Sequence, residues 1–227
     1  MIYDRIVHAR FIDRPNRFIA HVEIDGVEET VHVKNTGRCR ELLLPDSEVI
    51  LWDSNNPSRK TRYDLIAVWK ENLGWVNIDS QAPNHVVKEW LSADNNIFTD
   101  LTYIKPEYTY GESRFDFYME KANQKIFMEV KGCTLEIDGK GYFPDAPTER
   151  GVKHLRELIK AKKDGYECYI AFVIAMEQVE VVYPNISTHP EFGVAMQEAM
   201  DAGVHVLYLC CDVTPEELKI VKAIRNN

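Results

Sequence analysis

Along the first third of the chain, apolar and polar residues alternate in short runs. Segments 6–11, 18–24 and 30–33 are rich in β-branched and aromatic side chains, the pattern of half-buried strands. Asp13-Arg14-Pro15-Asn16 separates the first two runs and Asp25-Gly26 the next two, and both read as hairpin turns. Further strands are expected at 48–52, 63–69 and 75–78. Short strands at this regular spacing point to a small closed barrel, with 38–44 as a short helix plugging one end.

After Gln81-Ala82-Pro83-Asn84 the period changes. Val86, Val87, Trp90 and Leu91 fall at helical spacing, which predicts a helix over 84–93. Strands return at 102–110, 114–118 and 126–130. A long helix is expected from Pro147-Thr148, with Val152, Leu155, Leu158 and Ile159 on one face and Asp164-Gly165 as its terminator. Strands at 167–174 and 179–183, a helix at 191–202 and a strand at 204–210 follow. Thr214-Pro215-Glu216-Glu217 is a capping box with proline in first position and predicts a final helix. The expected fold class is mixed α/β, with a barrel over 1–82 and an α/β domain over 83–227.

Composition narrows the function classes. With 227 residues, 45% hydrophobic and 28% charged, the chain can bury a core without disulfides or a structural metal. The longest apolar run, 170–176, is too short to cross hydrocarbon, and Asp4 and Arg5 stand where a secretory signal needs apolar residues. A cytoplasmic protein without a membrane partner is expected. Cysteines 39, 133, 168, 210 and 211 form no Cys-x-x-Cys pair and no histidines sit at zinc-ligand spacing, which suits a reducing compartment. Cys210-Cys211, beside the apolar run 206–209, reads as a buried strand end. Net charge is −9, unfavourable for nucleic acid when taken alone. The average hides an asymmetry: residues 1–82 hold 11 basic and 13 acidic side chains, the remainder 16 and 23. Basic residues of the first part are bunched as Arg14 and Arg17, Arg38 and Arg40, and Arg59, Lys60 and Arg62. Phosphate binding follows local potential, not the total, although a solvated charged face has the same composition.

Candidate chemistry lies in Ser113-Arg114-Phe115-Asp116-Phe117 and Phe127-Met128-Glu129-Val130-Lys131-Gly132. Alternate strand residues share a face, so Phe115, Phe117 and Val130 turn to the core while Asp116, Glu129 and Lys131 converge on one patch of a hairpin. Two carboxylates suit a hard divalent ion such as Mg²⁺ or Mn²⁺, which binds phosphate oxygens and acidifies a bound water. The lysine would orient that water or neutralise developing charge. A salt-bridged hairpin with a solvated face satisfies the same pattern, and Glu-x-Lys recurs at Glu217-Leu218-Lys219.

Longer runs carry a resemblance. Arg14-Pro15-Asn16-Arg17-Phe18, Asn35-Thr36-Gly37-Arg38, Arg59-Lys60-Thr61, Tyr110–Phe117, Glu129-Val130-Lys131 and, most specific, Phe143-Pro144-Asp145-Ala146-Pro147-Thr148-Glu149-Arg150-Gly151-Val152-Lys153-His154 resemble the sugar fermentation stimulation protein A family over most of the chain. Pro45-Asp46-Ser47 departs from the Pro-Gly turn usual there. The resemblance implies an oligonucleotide-binding (OB) barrel joined to a PD-(D/E)XK nuclease-like domain. It also implies non-sequence-specific DNA binding and a regulatory part in sugar, notably maltose, metabolism. On that footing Asp116 and Glu129 match the metal carboxylates and Lys131 the lysine. Glu89 stands where such domains often add an acid, or is one exposed charge on an amphipathic helix. Arg14, Arg17, Arg38 and Arg40 are candidate phosphate contacts of the barrel, and Arg150 and Lys153 of the helix after the hairpin. Thr148 is placed to cap that helix, and His154 packs one turn further in. Trp52, Trp69 and Trp75 are expected to pack in the barrel core. Two functions share this architecture: a DNA binder with a nuclease-type metal site that hydrolyses phosphodiesters, and a regulatory or architectural DNA binder that does not cut. The sequence leaves homo-oligomerisation open.

Overall fold

The computed structural model describes residues 1–35, 37–93 and 97–226; Thr36 of the Asn35–Arg38 motif lies outside the described residues. Strands β1 (Ile6–Asp13), β2 (Ile19–Ile24), β3 (Val27–Val33), β4 (Glu48–Asp53), β5 (Tyr63–Lys70) and β6 (Gly74–Asn77) form one sheet in the order β3-β2-β1-β4-β5-β6. Parallel pairing of β3 with β5, His32 opposite Asp64, closes it into a barrel. In β2 and the end of β3 burial alternates, with Ala20, Val22, Val31 and Val33 pointing inward, whereas β4 and β5 are buried nearly throughout.

Beyond the barrel come α1 (Ala82–Leu91), β7 (Leu101–Tyr110), β8 (Ser113–Lys121), β9 (Gln124–Cys133), β10 (Leu135–Ile137) and β11 (Lys140–Phe143). Helix α2 (Glu149–Lys163), β12 (Glu167–Ile174), β13 (Val182–Pro184), α3 (Pro190–Asp201), β14 (His205–Val213) and β15 (Leu218–Asn226) complete the chain. The second large sheet has the order β15-β14-β12-β9-β8-β7, with β10, β11 and β13 in a small separate sheet. Residues of α2 and α3 pack in one core cluster with Phe127 and Phe172, and residues of α1 pack in another with Met128 and Val173. Helices therefore cover both faces of a mixed sheet. Thr148 caps α2, its hydroxyl accepting from Gly151 N at 3.0 Å.

Three expectations are corrected. The final helix is strand β15, paired antiparallel with β14; the Thr214 hydroxyl does accept from Glu216 N and Glu217 N, but the turn leads into a strand. Segment 38–44 is a run of turns, with Cys39 at φ 45° and both Leu42 N and Leu43 N donating to Cys39 O. Trp69 is 45% exposed, edge-on to Trp75, whereas Trp52 and Trp75 are partly buried against Ile50, Ile66 and Ala67, with Trp52 under Arg5 and Lys34, so of the three only these two pack, and against a smaller cluster than the main barrel core. All five cysteines are buried and free, and burial pushes the Cys39, Cys133 and Cys168 thiols up to about 12, the signature of inert thiols.

The two sheets are joined at several points. Val76 bridges Met176, Asn77 N donates to Ala175 O, and the Lys70 ammonium pairs with Glu136. Ile2 bridges Glu217, so the first residues of the chain lie against the start of β15 and not in the barrel. One cluster of buried side chains runs from Phe11, Val22 and Leu65 of the barrel to Phe127, Leu155 and Phe172. No described helix is long and apolar enough to cross a membrane.

Candidate metal centre and phosphate-binding surface

Strand β9 lies between β8 and β12, which buries Glu129 to 2% exposure. Glu129 Oε1 accepts from Lys131 Nζ at 2.6 Å and from the His154 ring on α2. Arg150 Nε donates to His154 Nε2 at 3.4 Å, which leaves the His154 proton on Nδ1, facing the carboxylate. Burial pushes the Glu129 carboxyl up, but the Lys131 charge and the His154 hydrogen bond outweigh it and hold it below the usual range. Glu129 Oε2 is buried without a hydrogen-bond partner among the described residues, an expensive arrangement for a carboxylate oxygen unless something electropositive meets it.

The β8–β9 register ends at Phe117 opposite Met128, one pair short of Asp116 and Glu129. Past that point the Asp116 carboxylate takes over from the ladder. Its Oδ2 accepts Val130 N at 2.7 Å and its Oδ1 accepts Asn84 Nδ2 at 2.8 Å. Phe115 and Phe117 are both buried, but in different core clusters, so the strict alternation expected across Asp116 does not hold. Burial and the Glu129 charge raise the Asp116 carboxyl, against the lowering effect of Val130 N–H, Asn84 and Lys131.

Asp116, Glu129 and Lys131 line one cavity of about 250 Å³ with Asn35 and Asp79 from the barrel side and Asn84, Asp145 and Arg150 from the α/β side. Glu89 is not there: exposed on α1, it pairs with the Met1 amino group at 2.6 Å. At 3.6 residues per turn, positions 84 and 89 point about 140° apart, and Asn84 is the one that reaches Asp116. Lys153 is exposed and donates to Glu112 O at 3.2 Å, outside the cavity. Asp79 and Asn84 escape sequence reasoning because their neighbours supply no motif, the proline before Asn84 at the helix start being the one local signal; Asn35 lies in the Asn35–Arg38 run, of which sequence reasoning singles out only Arg38.

A second depression, of about 500 Å³, lies on the barrel and is lined by Arg14, Arg17, Arg38 and Arg40 with Asn16 and Pro45. Arg17, Arg38 and Arg40 are exposed. Arg14 is a correction: its two terminal nitrogens donate to Gly37 O, Arg38 O, Arg17 O and Asn35 O at 2.6–2.9 Å. The fork is filled by backbone carbonyls and has no terminal N–H left for a phosphate.

Glu149, His189 and Glu191 bring their ligand atoms within 4.8 Å of one another, a weakly clustered group within reach of one divalent ion. Thr148 N donates to His189 Nδ1 at 3.0 Å, which places the His189 proton on Nε2, toward Glu149. A metal there would have to displace that proton, unlike one at Glu129 Oε2.

His154→Leu is expected to destabilise the protein by about 1–3 kcal/mol, the cost of taking one partner from a buried charged acceptor. Urea unfolding at neutral pH measures it; an unchanged midpoint would mean that Lys131 alone satisfies Glu129.

A family model for the "Sugar fermentation stimulation protein RE domain" matches residues 81–217, and one for the "SfsA N-terminal OB domain" matches 12–78. A sugar fermentation stimulation protein homolog of Clostridium beijerinckii is 52% identical over 220 residues, 97% of this chain and 96% of its own. One from Desulfitobacterium hafniense is 53% identical over 219 residues, 96% and 95% of the two chains. The structure of Pyrococcus furiosus SfsA in complex with Ca²⁺ superposes with a TM-score of 0.80 at 28% identity, covering 99% of this chain and 95% of that one.

Proposed function

The chain belongs to the sugar fermentation stimulation protein family, an OB barrel followed by a PD-(D/E)XK nuclease-like domain, and from that membership we propose that it is a DNA-binding regulatory or architectural protein of the cytoplasm. DNA is held through its phosphate backbone, without sequence preference, and the physiological setting is sugar metabolism. The observation that carries this reading is the gathering of Arg17, Arg38 and Arg40 around one depression of the barrel. Guanidinium groups on an OB barrel suit phosphate contacts, which position a strand and carry no sequence information. The functional division falls near residue 82, with DNA binding assigned to 1–82 and the metal site to 83–227.

A divalent ion, Mg²⁺ or Mn²⁺, fits the second part. Glu129 Oε2 is a buried acceptor without a partner, and Asp116 adds a second carboxylate in the same cavity. These two residues would hold the ion, which when bound lowers the pKa of a water and stabilises charge on a phosphate. Lys131 and His154 fix Glu129 Oε1, so that Oε2 is the oxygen left for the ion. Arg150 lines the same cavity and would receive a phosphate oxygen. This set favours a second reading, metal-dependent phosphodiester hydrolysis, in which Lys131 Nζ steadies the attacking water or the developing charge.

Mn²⁺ is expected to raise the melting temperature. Saturation at a hundredfold excess over Kd stabilises by about 2.7 kcal/mol, roughly 5–10 °C for a chain of this size. Asp116→Asn should abolish the increment while leaving DNA affinity largely intact. A wild-type protein that ignores millimolar Mn²⁺ would remove the metal site from this account. Incubation with single- and double-stranded DNA and Mn²⁺ then separates the readings. Binding without products supports the non-cutting protein, whereas products that vanish in Lys131→Ala establish the hydrolase.

A further inference from the structure

The depression and the metal cavity meet on one piece of barrel backbone. Asn35 lines the cavity of Asp116 and Glu129, while Gly37 and Arg38 line the depression. The described residues of this crossing, Asn35, Gly37 and Arg38, are each tied down. The Asn35 side chain donates to Ile78 O at 2.9 Å and accepts Gly37 N at 2.7 Å. Arg14 gathers the carbonyls of Asn35, Gly37 and Arg38 into one fork and adds that of Arg17 from the turn before β2. Gly37 has no side chain because there is no space for one: a Cβ would run into the Asp145 carboxylate from the α/β side and sit 2.8 Å from Asn35 Oδ1. The barrel thus touches the rim of the metal cavity at this crossing.

We propose that the depression and the cavity are the two ends of one track for a continuous phosphodiester strand, which passes over Asn35, Gly37 and Arg38, with Arg14 as the positioning residue that holds the crossing. The proposal rests on the DNA-binding reading above and goes beyond it by giving the strand a path. Charge supports it directly at one end, through Arg17, Arg38 and Arg40; at the other, Arg150 and Lys131 stand among four carboxylates, Asp79, Asp116, Glu129 and Asp145, so that end takes a phosphate only together with a cation. Arg14 supports it in the middle. Four carbonyl oxygens that would repel a phosphate are turned onto a guanidinium, whose net positive charge stays beneath the path. At the far end, the buried and unpartnered Glu129 Oε2 calls for a cation, which in turn attracts a phosphate oxygen.

A shared strand makes metal and DNA binding reciprocal, since each ligand then changes the other's affinity by the same factor. Fluorescence anisotropy with labelled single-stranded oligonucleotides of graded length, with and without Ca²⁺, reads this coupling. Ca²⁺ is the probe because it accepts carboxylate oxygens in flexible geometry. Above a threshold length, Ca²⁺ should tighten binding to the wild type at least about fivefold relative to Glu129→Gln. Oligonucleotides that cover the depression alone should show no such gain. Arg14→Lys retains the charge, so its salt dependence should match the wild type, yet the Ca²⁺ coupling should be lost because an ammonium cannot hold four carbonyls.

Firm DNA binding that Ca²⁺ leaves unchanged at every length would overturn the track and leave the barrel reading standing. A wild type that binds no DNA would overturn both. Full coupling in folded Arg14→Lys would remove Arg14 from the proposal. If that variant does not fold, Gly37→Ala displaces the same crossing against Asp145, and coupling that survives it overturns the path.

Discussion

Replacing Arg17, Arg38 and Arg40 together with glutamate is expected to weaken DNA binding at least about a hundredfold at low salt and to flatten its salt dependence by roughly three. Each lost phosphate contact removes close to one released counterion, and the reversed charges then repel the strand. The loss should be similar for all sequences, because backbone contacts do not read bases. Arg14 is left out of the set on purpose: its side chain is engaged with carbonyls, and removing it would confuse lost folding with lost binding. The control is a triple reversal of Lys125, Lys140 and Lys219, exposed residues of the α/β part, which changes net charge equally. Titration of labelled DNA from 50 to 200 mM salt measures both quantities. Equal losses in the two triples would mean that overall charge, and not the depression, governs affinity.

The largest single-residue loss of stability is expected at Asp64. It is fully buried on β5, directly at the β3–β5 closure. Arg59 NH1 reaches it at 3.1 Å, Lys34 Nζ at 3.2 Å and the His32 ring at 3.0 Å. Burial pushes its carboxyl up, but the Arg59 hydrogen bonds, Lys34 and His32 together hold it below the ordinary range. Asp64→Ala strands Arg59 at the barrel seam and leaves Lys34 with Asp79 alone, and should cost about 3 kcal/mol, near the lower end for a broken buried pair because both cations keep some water. The folded carboxyl is depressed, so its contribution is complete above the unfolded value near 4 and fades as pH falls through the folded value. Urea unfolding should therefore show a large gap between wild type and variant at pH 7 and a smaller one at pH 3. A gap that stays constant would assign the loss to packing.

Strands β4 and β5 are buried on both faces and read as continuous apolar runs, whereas β2 was readable because it buries one face, which writes a period of two into the residues. The same logic placed Asp116, Glu129 and Lys131 on neighbouring strands, where the structure has them around one cavity. What failed was decided over long distances. Thr214–Glu217 is a sound local helix start, but Ile220, Lys222 and Ile224 pair with β14, and the open edge of a sheet outweighs a cap. Glu89 and Asn84 share a helix, and only the phase of that helix against β8 decides which one reaches Asp116. Arg14 looks like its neighbours in sequence. Its four carbonyl partners come from two separate loops, and no local pattern announces them.

The single buried cluster that runs from Phe11 and Leu65 to Phe127 and Phe172 has a mechanical consequence. Many proteins that grip nucleic acid do so with two lobes that close like jaws around a flexible joint. Here such a joint would have to shear through packed side chains, and close-packed interiors resist continuous deformation. Relative movement of the barrel and the α/β part is then opposed by that packing. If a strand lies along the proposed path, it has to bring its own curvature to that frame, and stiffness of the nucleic acid would then weigh more than movement of the protein in sorting one strand from another.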